Sequence, residues 1–290
     1  MPEPSSIITH HSSFVLGLIG YPLGHSLSPK IHAAALSACG LQGTYSLFPI
    51  PPEDKQGLKD LLARVRGGEI TGLNVTIPHK QNVIELMDEL TPTAQAIGAV
   101  NTIYMRENKL VGDNTDAPGF LADLKKFIGS RELGIGKRKS AIILGAGGSA
   151  RAVVYALCND GWNVTLVARR IEQAKKLADS FANLEVRVVE YSSFIFNLSS
   201  FALIVNTTPL GMTPNIETSP LPENIIFAEN ALIYDLVYNP RETKLVKDAR
   251  AQGLYATTGL GMLIEQAALA FEKWTDHNPP RESLYQAVQP

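Results

Sequence analysis

Cysteine is scarce in this chain. Its 290 residues include only two, Cys39 and Cys158, which fall in predicted helices of different halves of the chain. Two cysteines so placed do not form the dense disulfide framework of small secreted proteins. We therefore expect both to be reduced packing thiols in a cytoplasmic protein.

Long apolar runs and targeting signals are also absent. No uninterrupted apolar stretch reaches the roughly 20 residues that a transmembrane helix needs. Residues 1–13 form a polar tail without the apolar core of a signal peptide or the arginines of a transit peptide. We therefore expect no membrane partner.

Charge of one sign does not dominate the sequence. Lys and Arg number 26 and Asp and Glu number 28, which gives a formal net charge of -2. A chain this close to neutrality offers no electrostatic reason to bind nucleic acid or an anionic membrane. The six histidines form no HExxH or Cys/His spacing, so no metal site is predicted. A length of 290 residues and a hydrophobic content of 45% fit a globular protein of about two domains.

Short apolar runs alternate with amphipathic patterns along the whole chain, which predicts an α/β fold with open, mostly parallel sheets. The predicted strands cover residues 14–19, 44–49, 72–75, 140–144, 163–167, 185–189, 203–205 and 232–235. The predicted helices cover residues 29–39, 53–65, 83–90, 92–97, 118–128, 149–159, 171–181, 242–252 and 262–274. A hairpin is predicted over 103–111, with its turn at Glu107 and Asn108.

The sequence predicts a boundary between two domains just before the helix at 118–128. Residues 1–116, completed by C-terminal helices within 259–290, would form the first domain. Residues 117–258 would form the second, entered through a polar, basic connector at 129–139.

One stretch places polar side chains where a buried strand gives way to a predicted helix. Residues 73–80 read LNVTIPHK, with an amide at Asn74, a hydroxyl at Thr76 and a cation at Lys80. In open α/β sheets, ligands bind at the carboxyl ends of the strands. Pro78 suits the first turn of a helix, so Lys80 would lie near a helix N-terminus, whose dipole favours loss of its proton. A structural junction with a solvated lysine explains the stretch equally well.

Hydroxyl, amide and carboxylate side chains stand at other predicted strand ends. Ser26 and Ser28 lie in a glycine-bounded loop, where they could bind a polyol acid, but Ser28 is also a natural N-cap for the next helix. Asn101 and Asp116 flank the predicted hairpin and should lie at one sheet edge. Helix capping is the alternative for Asp116, although Asn114 could cap as well.

The most specific local motif is a glycine-rich turn between a predicted strand and a predicted helix. Its residues are Gly145, Ala146, Gly147, Gly148, Ser149 and Ala150. They match G-x-G-x-x-A in the strand–turn–helix context that the motif requires. The glycines permit a close backbone approach to a pyrophosphate, which would lie at the helix N-terminus. The motif predicts a dinucleotide-binding unit.

Two arginines stand where NAD-binding folds usually carry an acid. The strand at 163–167 is followed by Arg169 and Arg170, and a guanidinium pairs well with a 2′-phosphate. We therefore predict NADP as the cofactor, while Glu172 leaves NAD open. A polar loop after the strand at 203–205 would line the nicotinamide half of the crevice with Asn206, Thr207 and Thr208.

Seven short motifs together resemble those of the shikimate dehydrogenase family. In chain order they are GHSLSP at 24–29, NVTIPHK at 74–80, GAVNT at 98–102, GDNTD at 112–116, GAGG at 145–148, NTTPLGM at 206–212 and GLGM at 259–262 with Gln266. They span nearly the whole chain and are specific as a set. The resemblance implies an N-terminal substrate domain and a Rossmann-like domain with a cleft between them. It also implies NADP-dependent reduction of 3-dehydroshikimate to shikimate in aromatic amino-acid biosynthesis.

The resemblance also implies roles for individual residues. Lys80 would exchange a proton with the substrate oxygen, and Asp116 would hold the lysine in place. The implied substrate contacts are Ser26, Ser28, Asn74, Thr76, Asn101, Tyr238 and Gln266. The implied cofactor contacts are the glycine turn, the two arginines, the 206–208 loop, Gly259 and Met262.

Two positions depart from the family pattern. The strand-end motif is commonly Asn-Arg-Thr, whereas this chain has Ala168, Arg169 and Arg170. The residue before Lys80 is often Phe, whereas here it is His79. His79 would either add a pH-dependent charge beside the lysine or act as a supporting residue.

Two other functions stay open at this point. A quinate or dual quinate/shikimate dehydrogenase has the same motifs, and Ser28, rather than a bulkier hydroxyl residue, favours shikimate only weakly. A non-catalytic metabolite sensor on the same fold is disfavoured by the presence of Lys80 and Asp116. In either case we expect a small-molecule ligand and a monomer or homodimer.

Overall fold

The computed structural model describes residues 13–129, 139–181, 183–194, 198–222, 225 and 227–289. The predicted polar tail and most of the predicted connector lie outside these residues. The described chain builds two six-stranded sheets, each with apolar cores on both of its faces. The predicted α/β fold is therefore confirmed. We call the parts built on the first and second sheets the first and second lobes.

The first sheet combines parallel and antiparallel strands. Its strands are β1 (Phe14–Gly20), β2 (Gly43–Pro49), β3 (Gly72–Val75), β4 (Glu89–Leu90), β5 (Thr102–Arg106) and β6 (Lys109–Asp113). The helices between them are α1 (Ser28–Ala38), α2 (Lys55–Arg66) and α3 (Pro92–Ile97). The strand order is β2-β1-β3-β5-β6-β4, in which only β5 runs antiparallel to its two neighbours.

The antiparallel strand β5 brings distant chain segments to one edge of this sheet. Its first residue, Thr102, is paired with Asn74 on β3 and with Asp113 on β6. Asn101 and residues 114–116 therefore lie beside the carboxyl end of β3. This is the juxtaposition that the sequence predicts.

The second sheet is entirely parallel. Its strands are β7 (Ser140–Leu144), β8 (Asn163–Ala168), β9 (Val186–Glu190), β10 (Leu203–Asn206), β11 (Leu232–Asp235) and β12 (Tyr255–Thr258). The remaining helices are α4 (Asp116–Ile128), α5 (Gly148–Asn159), α6 (Ile171–Asp179), α7 (Tyr191–Phe194), α8 (Lys244–Ala251), α9 (Leu260–Thr275) and α10 (Arg281–Gln286). The order β12-β11-β10-β7-β8-β9 is that of a Rossmann sheet, whose strand order reverses between β7 and β10. A ligand crevice is expected at the carboxyl ends of these two strands.

Most predicted helices and strands are found within about two residues of their predicted ends, but the helix over 83–90 is wrong. The chain there forms successive turns, a short 3-10 helix (Ile84–Leu86) and strand β4. The carbonyl of Lys80 accepts a hydrogen bond from the Val100 amide at 2.7 Å, so it is not used in an α-helical bond. Lys80 therefore does not lie at the start of a helix, and the argument that a helix dipole acts on its proton fails.

Helices α4 and α9 pack against each other where the chain passes between the lobes. Asp123 on α4 accepts a hydrogen bond from the Tyr234 hydroxyl at 2.5 Å, and burial raises the pKa of this carboxyl. A Cβ atom at Gly261 would collide with the carboxylate of Asp123. Only glycine lets the start of α9 lie this close to α4.

Both cysteines are free and half-buried, in agreement with their prediction as packing thiols. Burial raises the pKa of the Cys158 thiol to about 11, which makes it a poor nucleophile. None of the helices among the described residues combines the length and apolar character needed to cross a bilayer.

Candidate active site

The lysine and the carboxylate predicted as an acid–base pair are in direct contact. Lys80 Nζ lies 2.5 Å from Asp116 Oδ2, and the two side chains are 12% and 7% exposed. Lys80 extends from the turn after β3, whereas Asp116 is the first residue of α4, where the helix dipole favours a negative charge. The structure therefore holds an ion pair, largely shielded from water, at the carboxyl edge of the first sheet.

Asn101 holds Asp116 from its other side. Its Nδ2 donates to Asp116 Oδ1 at 2.9 Å, while its Oδ1 accepts from the Thr115 amide at 2.7 Å. Gln266 of α9 completes the group, with its Oε1 3.3 Å from Asn101 Nδ2. Gln266 is buried, although its isolated position in the sequence is more typical of a surface residue.

The helix caps differ from those that the sequence favours. Ser28 makes no capping hydrogen bond to α1; instead, Ser26 Oγ accepts from the Ser28 amide at 3.2 Å. Asp116 does not cap α4 either, because Asn114 Oδ1 accepts from the Ala117 amide at 3.2 Å. The side chains of Ser28 and Asp116 are therefore available for other partners.

Asn74 and Thr76 lie at the carboxyl end of β3, as predicted. Thr76 is half-buried and its methyl group packs on Gly20, where a Cβ atom would collide with it. Asn74 is buried, and its Oδ1 accepts hydrogen bonds from the Tyr45 hydroxyl at 2.8 Å and from His32 Nε2 at 3.1 Å.

The sequence-based site did not include His32 and Tyr45. A signal was present for His32, because it follows Ser28 by four residues and therefore lies on the same face of α1. No comparable signal marks Tyr45, because its approach to Asn74 depends on the pairing of β2 with β1 and of β1 with β3.

Burial of His32 should make the stability of the protein depend on pH. Burial lowers the pKa of His32 from 6.5 to about 3, against the opposing effect of its hydrogen bond to Asn74. Between these values the unfolded chain binds a proton at His32 that the folded chain does not, so the free energy of unfolding falls as pH falls. Relative to wild type, His32→Phe should gain up to about 1.4 kcal/mol of stability per pH unit of acidification in this window.

Urea unfolding of both proteins across this pH range measures the difference. Burial also raises the pKa of Asp235 to about 6, which makes the free energy of unfolding rise as pH falls. Because Asp235 is present in both proteins, its contribution cancels in the comparison. If the free energies of unfolding of wild type and His32→Phe changed with pH in parallel, His32 would not have the lowered pKa.

His79 is buried beside the site rather than facing solvent. Its Nε2 donates to the Ile50 carbonyl at 2.7 Å, which ties the turn after β3 to the end of β2. Of the two interpretations left open by the sequence, this contact favours a supporting residue.

The glycine turn after β7 has the geometry of an anion site. Gly145 has a φ of +111°, and a Cβ atom there would lie 2.6 Å from Thr207 Oγ1. Gly147 provides no side-chain cap for α5, and a Cβ atom at Gly147 would have nothing within 4 Å. The amides at the start of this 12-residue helix can therefore bind an anion, and the buried Ala150 lets the helix pack closely. These residues fit a dinucleotide pyrophosphate.

The same turn lies next to the lysine of the first lobe. A Cβ atom at Gly148 would lie 3.5 Å from Lys80 Cδ, so the aliphatic part of Lys80 runs beside the first turn of α5. Ala146 is held by Gln173, whose Nε2 donates to the Ala146 carbonyl at 3.0 Å. Ser149 follows Gly148 in the first turn of α5 and is half-buried. The ion pair and the glycine turn thus line one cleft between the lobes.

Arg169 and Arg170 are exposed just beyond the end of β8. Glu172, which kept NAD open, forms an ion pair with Lys175 at 2.9 Å on the surface of α6. The two guanidinium groups are therefore available at the strand end where a Rossmann fold binds the adenosine ribose.

The loop after β10 uses its polar side chains within the protein. Asn206 is fully buried and donates from Nδ2 to Asp235 Oδ1 at 2.8 Å, while its Oδ1 accepts from Thr208 Oγ1 at 2.7 Å. Thr207 Oγ1 donates to the Leu144 carbonyl at 2.8 Å. These side chains shape the loop that borders the crevice between β7 and β10.

The last predicted residues lie where the second lobe meets the first. Gly259 packs so closely on Leu236 that a Cβ atom would collide with its carbonyl, and Met262 is buried in the apolar core. Tyr238 is half-buried, and burial raises its pKa. Burial chiefly, and Tyr238 to a smaller degree, raise the pKa of Tyr45 well above its usual range. Tyr238 therefore lies within electrostatic reach of Tyr45 in the first lobe.

Three family models match successive parts of the chain. The shikimate dehydrogenase substrate binding domain matches residues 18–103, and the shikimate/quinate 5-dehydrogenase model matches residues 128–249. The shikimate 5′-dehydrogenase C-terminal domain matches residues 259–289.

Individual relatives are similar over nearly the full length of the chain. The NADP(+) shikimate dehydrogenase of Salinibacter ruber is 40% identical over 279 residues, which cover 94% of this chain and 95% of that protein. The structure of shikimate 5-dehydrogenase from Thermus thermophilus in complex with NADP(H) and shikimate has a TM-score of 0.81 at 38% identity, covering 94% and 98%. Quinate dehydrogenase from Corynebacterium glutamicum in complex with NAD has a TM-score of 0.85 at 31% identity, covering 95% and 98%.

Proposed function

The chain belongs to the shikimate dehydrogenase family, and from this we propose that it catalyses the NADP-dependent, reversible reduction of 3-dehydroshikimate to shikimate. The observation that carries the proposal is the Lys80–Asp116 ion pair, 2.5 Å long and largely shielded from water, beside the glycine turn of a Rossmann lobe. A proton donor and a dinucleotide site on facing walls are what reduction of a ketone requires. We place this reaction in aromatic amino-acid biosynthesis in the cytoplasm, carried out by a monomer or homodimer without a nucleic-acid or membrane partner.

Substrate binding and NADP binding fall to different domains in this proposal. Residues 1–116, completed by 259–290, form the substrate and catalytic domain in this proposal, and residues 117–258 form the NADP domain. The return of α9 from the second lobe to the first, where Gln266 reaches Asn101, supports this division.

NADPH, when bound, supplies the hydride that reduces the ketone, and NADP+ accepts it in the reverse direction. The amides at the start of α5 would hold the pyrophosphate, and Arg169 and Arg170 would pair with the 2′-phosphate. The glycine turn contributes Gly145, Ala146, Gly147, Gly148, Ser149 and Ala150. The nicotinamide side of the crevice is shaped by Asn206, Thr207, Thr208, Gly259 and Met262.

Lys80 is the proton donor in reduction. As the ketone oxygen gains negative charge, the ammonium of Lys80 hydrogen-bonds to it and transfers a proton; in the reverse reaction, the neutral amine takes the proton of the alcohol. Asp116 orients the ammonium, and Asn101 in turn fixes Asp116 Oδ1 at 2.9 Å. Since these partners are already in place, little reorganisation is needed when charge develops.

The remaining polar groups at the sheet edge would bind the hydroxyl and carboxylate groups of the substrate. This set consists of Ser26, Ser28, Asn74, Thr76, Asn101, Tyr238 and Gln266. All but Tyr238 belong to the first lobe or to α9. Tyr238 would therefore complete the site from across the cleft.

The function is tested by measuring kcat/KM for shikimate and quinate with NADP+ and with NAD+. The proposal predicts the highest value for shikimate with NADP+. The similarity to a quinate dehydrogenase makes quinate the second candidate substrate, and a higher kcat/KM for quinate would replace the proposed substrate. Binding of shikimate without any turnover would indicate a metabolite sensor.

Ser26 should contribute to substrate binding rather than to the chemical step. Ser26→Ala removes a hydroxyl contact that is made in both the ground state and the transition state, so it should raise KM for shikimate by about 5- to 10-fold with little change in kcat. Steady-state kinetics at saturating NADP+ measures the effect. Ser37→Ala on the exposed face of α1 is the matched control. A fall in kcat at unchanged KM would refute the assigned role.

A further inference from the structure

Two stacked aromatic side chains, His32 and Tyr45, hydrogen-bond to Asn74, and neither has a role in the proposed mechanism. Asn74 Oδ1 accepts from the Tyr45 hydroxyl at 2.8 Å and from His32 Nε2 at 3.1 Å, and its Nδ2 donates to the Asn101 carbonyl at 3.3 Å. The rings of His32 and Tyr45 stack, with centroids 4.4 Å apart and planes 5° apart. Trp274 lies against His32 at 5.2 Å.

The protonation of this group is determined by its partners. An amide oxygen only accepts hydrogen bonds, so His32 must carry its proton on Nε2. Its Nδ1 is then the unprotonated nitrogen, and it is one of the buried side-chain atoms without a partner among the described residues. Burial lowers the pKa of His32 to about 3, so the ring stays neutral. The Tyr45 hydroxyl and the His32 Nε2–H therefore both donate to Asn74 Oδ1.

Two donors on one oxygen fix the direction of the Asn74 amide. If the amide rotated by half a turn, its oxygen would face the Asn101 carbonyl, and the Tyr45 hydroxyl and the His32 ring would each have to change from donor to acceptor. One N–H of Nδ2 is used by the Asn101 carbonyl, and the other has no partner in the described part of the chain. Among the described residues, the Asn74 side chain thus leaves one hydrogen-bonding group without a partner, and that group is an N–H donor.

We propose that Tyr45 and His32 are positioning residues that lock Asn74 as a hydrogen-bond donor to the substrate. The proposal rests on the proposed function, in which Asn74 contacts shikimate. It specifies the chemistry of that contact: the substrate group facing Asn74 is a hydrogen-bond acceptor, either a lone pair of a ring hydroxyl or an oxygen of the carboxylate.

Tyr45→Phe is the most selective test, because it removes the hydroxyl and keeps the ring that stacks on His32. Without that donor, only His32 and the Asn101 carbonyl hold the Asn74 amide, which is then fixed less firmly, and KM for shikimate should rise about 5- to 20-fold. Because Tyr45 does not touch the reacting oxygen, kcat should stay within about 3-fold and KM for NADP+ should not change. Tyr191→Phe is the matched control, since the Tyr191 hydroxyl donates to the Pro220 carbonyl at 2.7 Å in the second lobe.

A double-mutant cycle separates positioning from general destabilisation. If Tyr45 acts through Asn74, adding Tyr45→Phe to Asn74→Ala should change KM by less than about 2-fold. An unchanged KM in Tyr45→Phe alone, or an equal rise in both backgrounds, would overturn the proposal. If Tyr45→Phe does not fold, His32→Phe also removes a donor to Asn74 and keeps a ring, and the same rise in KM is expected.

Failure of this proposal is distinguishable from failure of the proposed function. If wild type oxidises shikimate but Tyr45→Phe has the same KM, only the positioning role is wrong. If wild type does not oxidise shikimate, the proposed function fails. Calorimetric titration of shikimate then decides the positioning role: weaker binding by Tyr45→Phe supports it, and equal affinity or no binding to wild type overturns it.

Discussion

Lys80→Ala is expected to lower kcat for shikimate oxidation by about 10²- to 10⁴-fold while KM for shikimate changes little. The loss falls on kcat because Lys80 exchanges a proton with the reacting oxygen in the transition state, whereas the hydroxyl-binding residues remain in place. Steady-state rates of NADPH formation measure both constants. A variant with normal kcat would show that Lys80 is not the proton donor.

The effect of Lys80→Ala on folding must be measured separately. Removal of the lysine leaves the 7% exposed Asp116 carboxylate without its charged partner, which typically costs about 3–5 kcal/mol for a buried pair. Lys80→Met is a useful second variant, because it keeps an apolar stem beside Gly148 and removes only the charge. Lys109→Ala, which breaks an exposed ion pair with Glu89, is the matched control. The account predicts that both Lys80 variants lose turnover while still binding shikimate.

Changing both Arg169 and Arg170 to alanine should lower kcat/KM for NADPH by about 10- to 100-fold and change kcat/KM for NADH by less than about 3-fold. The reason is that a charge-assisted hydrogen bond to the 2′-phosphate contributes about 1.5–3 kcal/mol, and NADH has no such phosphate. Wild type should accordingly prefer NADPH.

The measurement is the ratio of kcat/KM for the two cofactors, in wild type and in the double variant. Arg187→Ala on β9 removes an exposed positive charge from the same lobe and is the matched control. Equal kcat/KM for NADPH and NADH in wild type would refute the proposed role of the arginines. An equal loss with both cofactors in the double variant would place the arginines outside the 2′-phosphate site.

The parts of the structure that depend on neighbouring residues could be predicted from the sequence. The glycine turn from Gly145 to Ala150 is marked by three local signals that agree: the strand before it, the glycines and the helix after it. The pairing of Lys80 with Asp116 is implied by the family resemblance instead, because their contact depends on β5, which pairs with both β3 and β6.

The parts that depend on distant residues could not be predicted. The turns after β3 replace a predicted helix because the Lys80 carbonyl bonds to the Val100 amide, 20 residues away in sequence. Gln266 is buried because α9 packs against α4, and no local pattern indicates that contact. Tyr45 and His32 meet at Asn74 only after α1, β2 and β3 have assembled.

The most direct test of the account is a crystal structure of this protein with NADP+ and shikimate bound together. We predict that Lys80 Nζ lies within hydrogen-bonding distance, about 2.6–3.2 Å, of the shikimate hydroxyl next to the nicotinamide. The pyrophosphate should lie at the start of α5. A complex in which the Lys80 ammonium points out of the cleft, or in which the pyrophosphate lies away from α5, would contradict the account.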